Sequence, residues 1–344
     1  MAARRRRGSA AALALTAALG VGSTLLLTAC GPDETAGATA SPSGAATAVP
    51  GGATGRPSGS ASPGRPTPAP PAHGTGVPHL TVSNGTSIVL LDSSTVDFHT
   101  LVRDLAWSPD GSKAAFIDGD GNLVVSKPDG TGKVTVAKNP GHQTWSHPTW
   151  QVVKSDPNIG NPAKNSIFLT VDKGGSTTLA GVPADAVGAT PTQLSLNAEG
   201  DGENVTPLPQ TGNVWPNVGG NYGSAVYANT GDGMVYIRDD SLRQQGRKLT
   251  AGSQPALSPD QHEVVFVRSV GGHDHLFTLD LDTQNAQPRD LTPKATTDYT
   301  EPAWAPAGKE LAARTPDGIV LLPADGSQAP KPTAATPGLP VYRS

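Results

Sequence analysis

A short signature returns along the chain at near-regular spacing, and it limits the possible folds more than any other feature. It first reads Leu105-Ala106-Trp107-Ser108-Pro109-Asp110-Gly111, then Pro148-Thr149-Trp150, then Asn213-Val214-Trp215-Pro216. It continues with Pro255-Ala256-Leu257-Ser258-Pro259-Asp260, Pro302-Ala303-Trp304-Ala305-Pro306-Ala307-Gly308 and Pro340-Val341-Tyr342. The aromatic position, with Leu257 substituting once, falls at 107, 150, 215, 257, 304 and 342. The steps are 43, 65, 42, 47 and 38 residues. Units of about 40–45 residues, each holding four short strands, are the blades of a β-propeller. The long step requires an insertion, placed in 182–212, a stretch rich in Gly, Pro, Asn and Thr.

Between signatures, short β-prone runs alternate with Gly, Pro, Asp and Asn turns, and no stretch sustains a helical period. Candidate strands are 87–91, 113–117, 122–125, 167–171, 234–237, 264–267 and 276–279. The Ser-Pro-Asp-Gly turn has a mechanism: Pro109 presets φ, Asp110 tolerates the second central position, and Gly111 accepts a positive φ. The aromatic ring of each unit is expected to pack between neighbouring blades. After Tyr342 only Arg343 and Ser344 remain, so the last blade must borrow strands from 80–83, 87–91 and 96–99. That pairing closes the ring and removes open sheet edges. The predicted fold is all-β, a six-bladed β-propeller closed by pairing of N- and C-terminal strands, behind a disordered N-terminal tether.

The region ahead of the propeller is different material. The aromatics, five each of Phe, Trp and Tyr, all lie at or after Phe98. Residues 1–30 carry a basic run, Arg4 to Arg7, then an apolar Ala, Leu and Val stretch ending in Leu27-Thr28-Ala29-Cys30. That order is an export signal. Cys30 is the sole cysteine, so no internal disulfide staples the fold. Residues 31–78 are almost entirely Gly, Ala, Ser, Thr and Pro. They have nothing to bury against the cost of ordering and are expected to be a disordered spacer, stiffer through the Pro-rich part at 65–71. The domain reading is therefore signal 1–30, tether 31–78 and propeller 79–344.

Two resemblances follow. Leu27-Thr28-Ala29-Cys30 resembles the lipobox of bacterial lipoproteins. That implies diacylglycerol on the Cys30 thiol, cleavage before Cys30, and anchorage at the extracytoplasmic face of the cell membrane, stable when two or more acyl chains insert. Trp107-Ser108-Pro109-Asp110-Gly111-Ser112-Lys113-Ala114-Ala115-Phe116, and Leu257-Ser258-Pro259-Asp260 with Val265-Phe266-Val267, resemble the WD40-like repeats of TolB-type propellers. Residues 304–312 are a weaker copy. This likeness covers 79–344, and the α/β N-terminal domain of TolB has no counterpart, because 31–78 cannot fold. Together with the Ala, Gly, Pro and Arg-heavy composition, the likeness implies a propeller lipoprotein of actinobacterial type.

Propellers bind partners at one face, over the central channel. The residue three before each aromatic position is expected to ring the mouth: Asp104, His147, Gly212, Gln254, Glu301 and Leu339. Nearby loops add His142, Trp145, Asp232, His273, Asp274 and Tyr299, with Trp145 and Tyr299 expected to be exposed. Such an acidic, His-bearing rim suits a protein, peptide or envelope glycan, although each residue is also an ordinary turn residue.

His273-Asp274-His275 supplies at most two metal ligands where a site needs three or four. Asp118-Gly119-Asp120-Gly121-Asn122 begins like a calcium loop, but Leu123 stands where glycine is required, and a tight hairpin explains the run better. No metal or cofactor is expected. No nucleophile elbow, phosphate loop or dinucleotide fingerprint is present. With 25 basic against 29 acidic residues there is no electrostatic case for nucleic acid. The expected protein is a monomeric, non-enzymatic binding or scaffolding lipoprotein. The alternatives are a carbohydrate-active hydrolase or lyase, or an accessory or sensor subunit of an envelope complex.

Overall fold

The computed structural model describes residues 74–155, 157, 162–200, 205–219, 223–240 and 243–344. The predicted signal, Cys30 and most of the predicted tether lie outside the described residues. Among the described residues there is no helix, and the strands form six sheets. Five follow the chain in simple order. Blade 2 holds Arg103–Trp107, Ala114–Ile117, Leu123–Ser126 and Val134–Ala137. Blade 3 holds Thr144–Val153, Lys164–Lys173, Ser176–Pro183 and Thr192–Gln193, and blade 4 holds Asn213–Val218, Ala225–Asn229, Met234–Arg238 and Gln245–Ala251. Blade 5 holds Ser253–Leu257, Glu263–Val270, His273–Asp280 and Arg289–Asp290, and blade 6 holds Thr300–Trp304, Glu310–Thr315, Gly318–Pro323 and Lys331–Ala334.

Blade 1 is the split one. Its inner strand is Leu339–Tyr342, and its outer three are Leu80–Ser83, Ile88–Leu90 and Thr95–Asp97. The closure is antiparallel, with Leu80 opposite Tyr342 and Ser83 opposite Leu339. Side chains reinforce it: Thr81 Oγ1 donates to the Val341 carbonyl at 2.8 Å, and Arg343 Nε donates to the Gly111 carbonyl of blade 2 at 2.8 Å. Arg343 also lies 5.0 Å from the Trp107 ring centroid. Residues ahead of Leu80 are tied to this blade as well, through Thr75 N–H to Leu91 O at 2.7 Å and Gly76 N–H to Asp92 O at 2.8 Å.

Apolar side chains gather in six clusters, one at each interface between blades. Leu105, Trp107 and Phe116 lie between blades 1 and 2, and Trp150, Ile167 and Leu169 between blades 2 and 3. Leu179, Tyr227 and Tyr236 lie between blades 3 and 4, and Val235, Leu257 and Phe266 between blades 4 and 5. Trp304 joins blades 5 and 6, and Leu80 with Ile319 joins blades 6 and 1. Each blade is thus buried on both faces, which is why its middle strands are near-continuous apolar runs such as Ala114–Ile117.

Trp107, Trp150 and Trp304 are almost fully buried, as the repeat predicts, and each indole N–H donates to the preceding blade. The partners are Thr81 Oγ1, Ala106 O and Ala256 O at 2.9, 3.3 and 3.0 Å. The turn after Trp107 behaves as its residues require: Gly111 has φ of 65°, and the Ser108 hydroxyl donates to Asp110 Oδ1 at 2.6 Å.

The insertion also falls where the long step places it. It supplies the outer strand of blade 3, Thr192–Gln193, and then Asn197–Ala198, which pairs in parallel with Gln245–Ala251 at the outer edge of blade 4. It therefore straps two blades together rather than simply lengthening one.

Candidate functional site: the channel ring

Every inner strand of blades 2 to 6 carries a β-bulge at the same place. The first bulge residue is in the left-handed region each time: Asp104 at φ 54°, His147 at 50°, Trp215 at 59°, Gln254 at 49° and Glu301 at 50°. Left-handed backbone is uncommon for side-chain-bearing residues and unusual for Trp. A bulge re-aims a side chain, and here it brings all five residues to the wall of a cavity of about 400 Å³ along the channel. Leu339 of blade 1 occupies the sixth position, in a strand whose pairing is regular.

The next residue is Pro148, Pro216, Pro255 or Pro302 in four of the five bulges. Proline lacks the N–H that a bulge would leave without a ladder partner. Blade 2 has Leu105 instead, and its N–H finds Ser83 Oγ of blade 1 at 3.4 Å. Three of the bulge N–H groups are capped from the preceding blade. His147 N–H donates to Asp104 Oδ2 at 3.0 Å, and Glu301 N–H donates to Gln254 Oε1 at 2.7 Å. Trp215 N–H donates to Thr170 Oγ1 at 3.1 Å. A second tier repeats the device, with Val218 N–H on Thr149 Oγ1 at 3.1 Å and Leu257 N–H on Asn217 Oδ1 at 2.9 Å.

This alignment corrects the sequence reading of blade 4. Trp215 had the place of an interface aromatic there, with Gly212 at the channel. In the structure Val218 holds the interface position and Trp215 faces the channel, because the repeat is phased by the bulge proline and not by the ring. Pro216, matching Pro148, Pro255, Pro302 and Pro340, is the signal that reveals it. Gly212 instead lies in the loop leading into this strand, accepting the N–H of Thr230 at 2.8 Å.

The chemistry of the ring is uneven. The His147 ring lies against Trp215, with centroids 4.1 Å apart, and its Nδ1 is 3.9 Å from Asp104 Oδ2. Burial lowers the His147 pKa below the usual histidine value, only partly opposed by the Asp104 charge, so the imidazole is neutral near pH 7. Burial pushes the Glu301 carboxyl up, against the pull of the Arg314 guanidinium, whose Nη1 is 3.2 Å from Glu301 Oε1. The ring therefore combines two carboxyl groups, one paired cation and one aromatic face.

The other candidate residues do not join it. Trp145 is 3% exposed, packed between blades 2 and 3 with its indole N–H on Gln143 Oε1, so the expectation of an exposed ring fails there. The residue sits in the first strand with its ring turned towards the neighbouring blade. His142 is exposed on the loop before that strand. Asp232 accepts from Tyr236 Oη at 2.6 Å and pairs with Lys248 at 3.3 Å, binding its own blade together. His273 and Asp274 meet Asp298, through His273 Nδ1 at 3.3 Å and Asp274 N–H at 3.0 Å. Tyr299 is half-buried against the cluster between blades 5 and 6. His275 is buried, with its Nδ1 2.9 Å from Asp290 Oδ2. Among the described residues, no three His, Cys, Asp or Glu side chains converge as a metal site would need. The Asp118 carboxylate is occupied in its own hairpin, accepting from the N–H groups of Asp120 and Asn122.

No family model and no curated protein matches the chain. Solved structures do share the fold. TolB from Acinetobacter baumannii is 15% identical, with TM-score 0.52 over 77% of this chain and 65% of that one. The chain thus spans just under two thirds of that protein's length. A TolB-annotated protein from Agrobacterium tumefaciens is 17% identical, with TM-score 0.49 over 75% and 89% of the two chains. A luciferin-regenerating enzyme is 11% identical, with TM-score 0.46 over 69% and 77%. At these identities the likeness is one of fold: a six-bladed propeller of the TolB type.

Proposed function

We propose that this chain is an exported lipoprotein, held at the extracytoplasmic face of the membrane by acyl groups on Cys30, whose propeller binds a protein or peptide of the cell envelope over its channel. The supporting observation is the ring of left-handed residues, which spends backbone strain to present Asp104, His147, Trp215, Gln254 and Glu301 around one cavity. Strain of this kind collects at binding clamps. The Trp215 face and the two carboxyl groups suit a segment that presents a Lys or Arg side chain, through cation–π and charge-assisted contacts.

A glycosidase reading would need both carboxyl groups for proton transfer or attack on a sugar. Here Asp104 caps the His147 N–H and Glu301 pairs with Arg314, so each already has a structural partner. That favours binding over hydrolysis.

The test is a crosslinking pull-down from native membranes, comparing the intact protein with Trp215→Ala/Glu301→Gln and with Asp232→Asn as a control away from the channel. Partners lost from the double variant and kept by the control support the channel. Identical partner lists for all three would retire it. For the anchor, Cys30→Ser is expected to abolish acylation and release the protein from membranes; continued membrane retention would refute it.

A further inference from the structure

Outside the channel, one buried charge lacks its partners. Arg238 ends the third strand of blade 4 and is 1% exposed, yet its Nε and Nη1 have no hydrogen-bond partner among the described residues. Its third nitrogen, Nη2, is 3.9 Å from Asp240 Oδ1. That carboxylate is already taken by Lys164, whose Nζ is 2.5 Å from Asp240 Oδ2. Two cations thus share this carboxylate, and the Asp239 charge acts on Arg238 as well. A buried guanidinium with open donors is costly, and a polar partner removes much of that cost.

Arg238 is one of the residues lining a cavity of about 400 Å³ between blades 3 and 4. This is within the usual size range for small-molecule sites. One wall is polar, with Gln151, Arg238 and the Lys164–Asp240 pair, and the other apolar, with Phe168 and Leu194. The Arg238 guanidinium carbon lies 5.7 Å from the Phe168 ring centroid. Leu194 belongs to the insertion, which roofs the pocket at 192–195. Gly181 permits this close approach, since a Cβ there would meet Leu194 and Phe168 at 3.0 Å.

We propose that the pocket between blades 3 and 4 binds a small organic carboxylate, with its carboxyl group on Arg238 and its apolar part between Phe168 and Leu194. Water would fill the open hydrogen bonds but would not make the bidentate, charge-assisted contact that suits a guanidinium. A bare inorganic anion would leave the apolar wall unused. The site is independent of the channel and of any partner bound there.

The test uses the full chain with three probes: benzoate, its neutral analogue benzamide, and inorganic phosphate. Binding is followed by the Nε–Hε resonance of Arg238 in ¹H–¹⁵N spectra and by the melting temperature. Benzoate is expected to shift both in a saturable way, with benzamide and phosphate much weaker. Arg238→Met is expected to weaken benzoate binding at least about tenfold. Ser195→Trp, at an exposed position on the roof, should block binding while leaving Arg238 and the fold in place. It serves as the test if Arg238→Met does not fold. Equal responses to benzoate and benzamide, phosphate binding without benzoate binding, no response to any probe, or benzoate binding undiminished in Ser195→Trp would each overturn the proposal.

Discussion

The channel ring and the pocket between blades 3 and 4 are both lined by polar side chains inside an apolar ring of sheets, and they are built in opposite ways. The channel comes from one motif used five times, and the blade before meets the N–H groups of three of its residues, as Asp104 meets His147, Thr170 meets Trp215 and Gln254 meets Glu301. The pocket comes from one insertion used once, and its central cation is left with two open donors. A repeated site completes itself through its neighbours, whereas a unique site has no neighbour designed to match it. The first is held by ring closure and the second by the strap across blades 3 and 4.

The largest expected effect breaks the repeated half of this contrast. Deleting 339–344 removes the inner strand of blade 1 and the closure onto Leu80–Ser83. The domain should lose cooperative unfolding, with a loss on the order of 5 kcal/mol or more, comparable to a typical domain's whole stability. Urea denaturation followed by Trp fluorescence tests this. A truncated chain that unfolds at the wild-type midpoint would show that closure does not hold the ring.

Next in size is a contrast between two tryptophans. Trp304→Ala empties an interface position and should cost about 3–5 kcal/mol. Trp215→Gly acts at a left-handed position in the channel wall and should change stability by less than about 1 kcal/mol, because glycine accepts that backbone freely. Equal costs in chemical denaturation would mean that the bulge ring is structural core and not a binding wall.

In the pocket, Arg238→Met should raise stability or leave it unchanged, by about 0–2 kcal/mol in the absence of ligand, since it removes an under-satisfied buried charge while Lys164 keeps Asp240 paired. The same measurement on Arg314→Met should show a loss, because Glu301 would then be left half-buried without its cation. A large destabilisation by Arg238→Met would show that the guanidinium is already satisfied.

The smallest effect is in the pH profile. The native pKa of His147 lies below its unfolded value, near 6.5. Below that pH the unfolded chain binds the proton more readily, so the His147 contribution is fully present above about pH 6.5 and is lost as pH falls. His147→Gln should flatten the decline in melting temperature between about pH 7 and 5. A variant profile parallel to wild type would place the His147 titration at its ordinary value.

Much of the fold was legible because its signals are local and repeated. Trp107 with Pro109 and Gly111 announces a strand and its turn, and the single short strand after Leu339 implies the split blade. The site was less legible. Trp145 and Trp215 look alike in sequence, but one ring is 3% exposed between blades and the other lies tilted against His147 in the channel. Which way a ring points depends on where the bulge falls, and only Pro216 hints at that. Arg238, the end of the run Met234-Val235-Tyr236-Ile237-Arg238, looks like an ordinary charged strand end.

The sequence by itself determined the β class, the six-fold repeat, the turn chemistry and the need for the C-terminal strand to pair with the N-terminal ones. These follow from spacing, proline and glycine positions, and short-range backbone preference. Only the tertiary structure decided the phase of blade 4, the burial of Trp145 and the isolation of Arg238. Whether a donor is satisfied depends on groups far away in sequence, such as Thr170 for Trp215, which meet only when neighbouring blades pack.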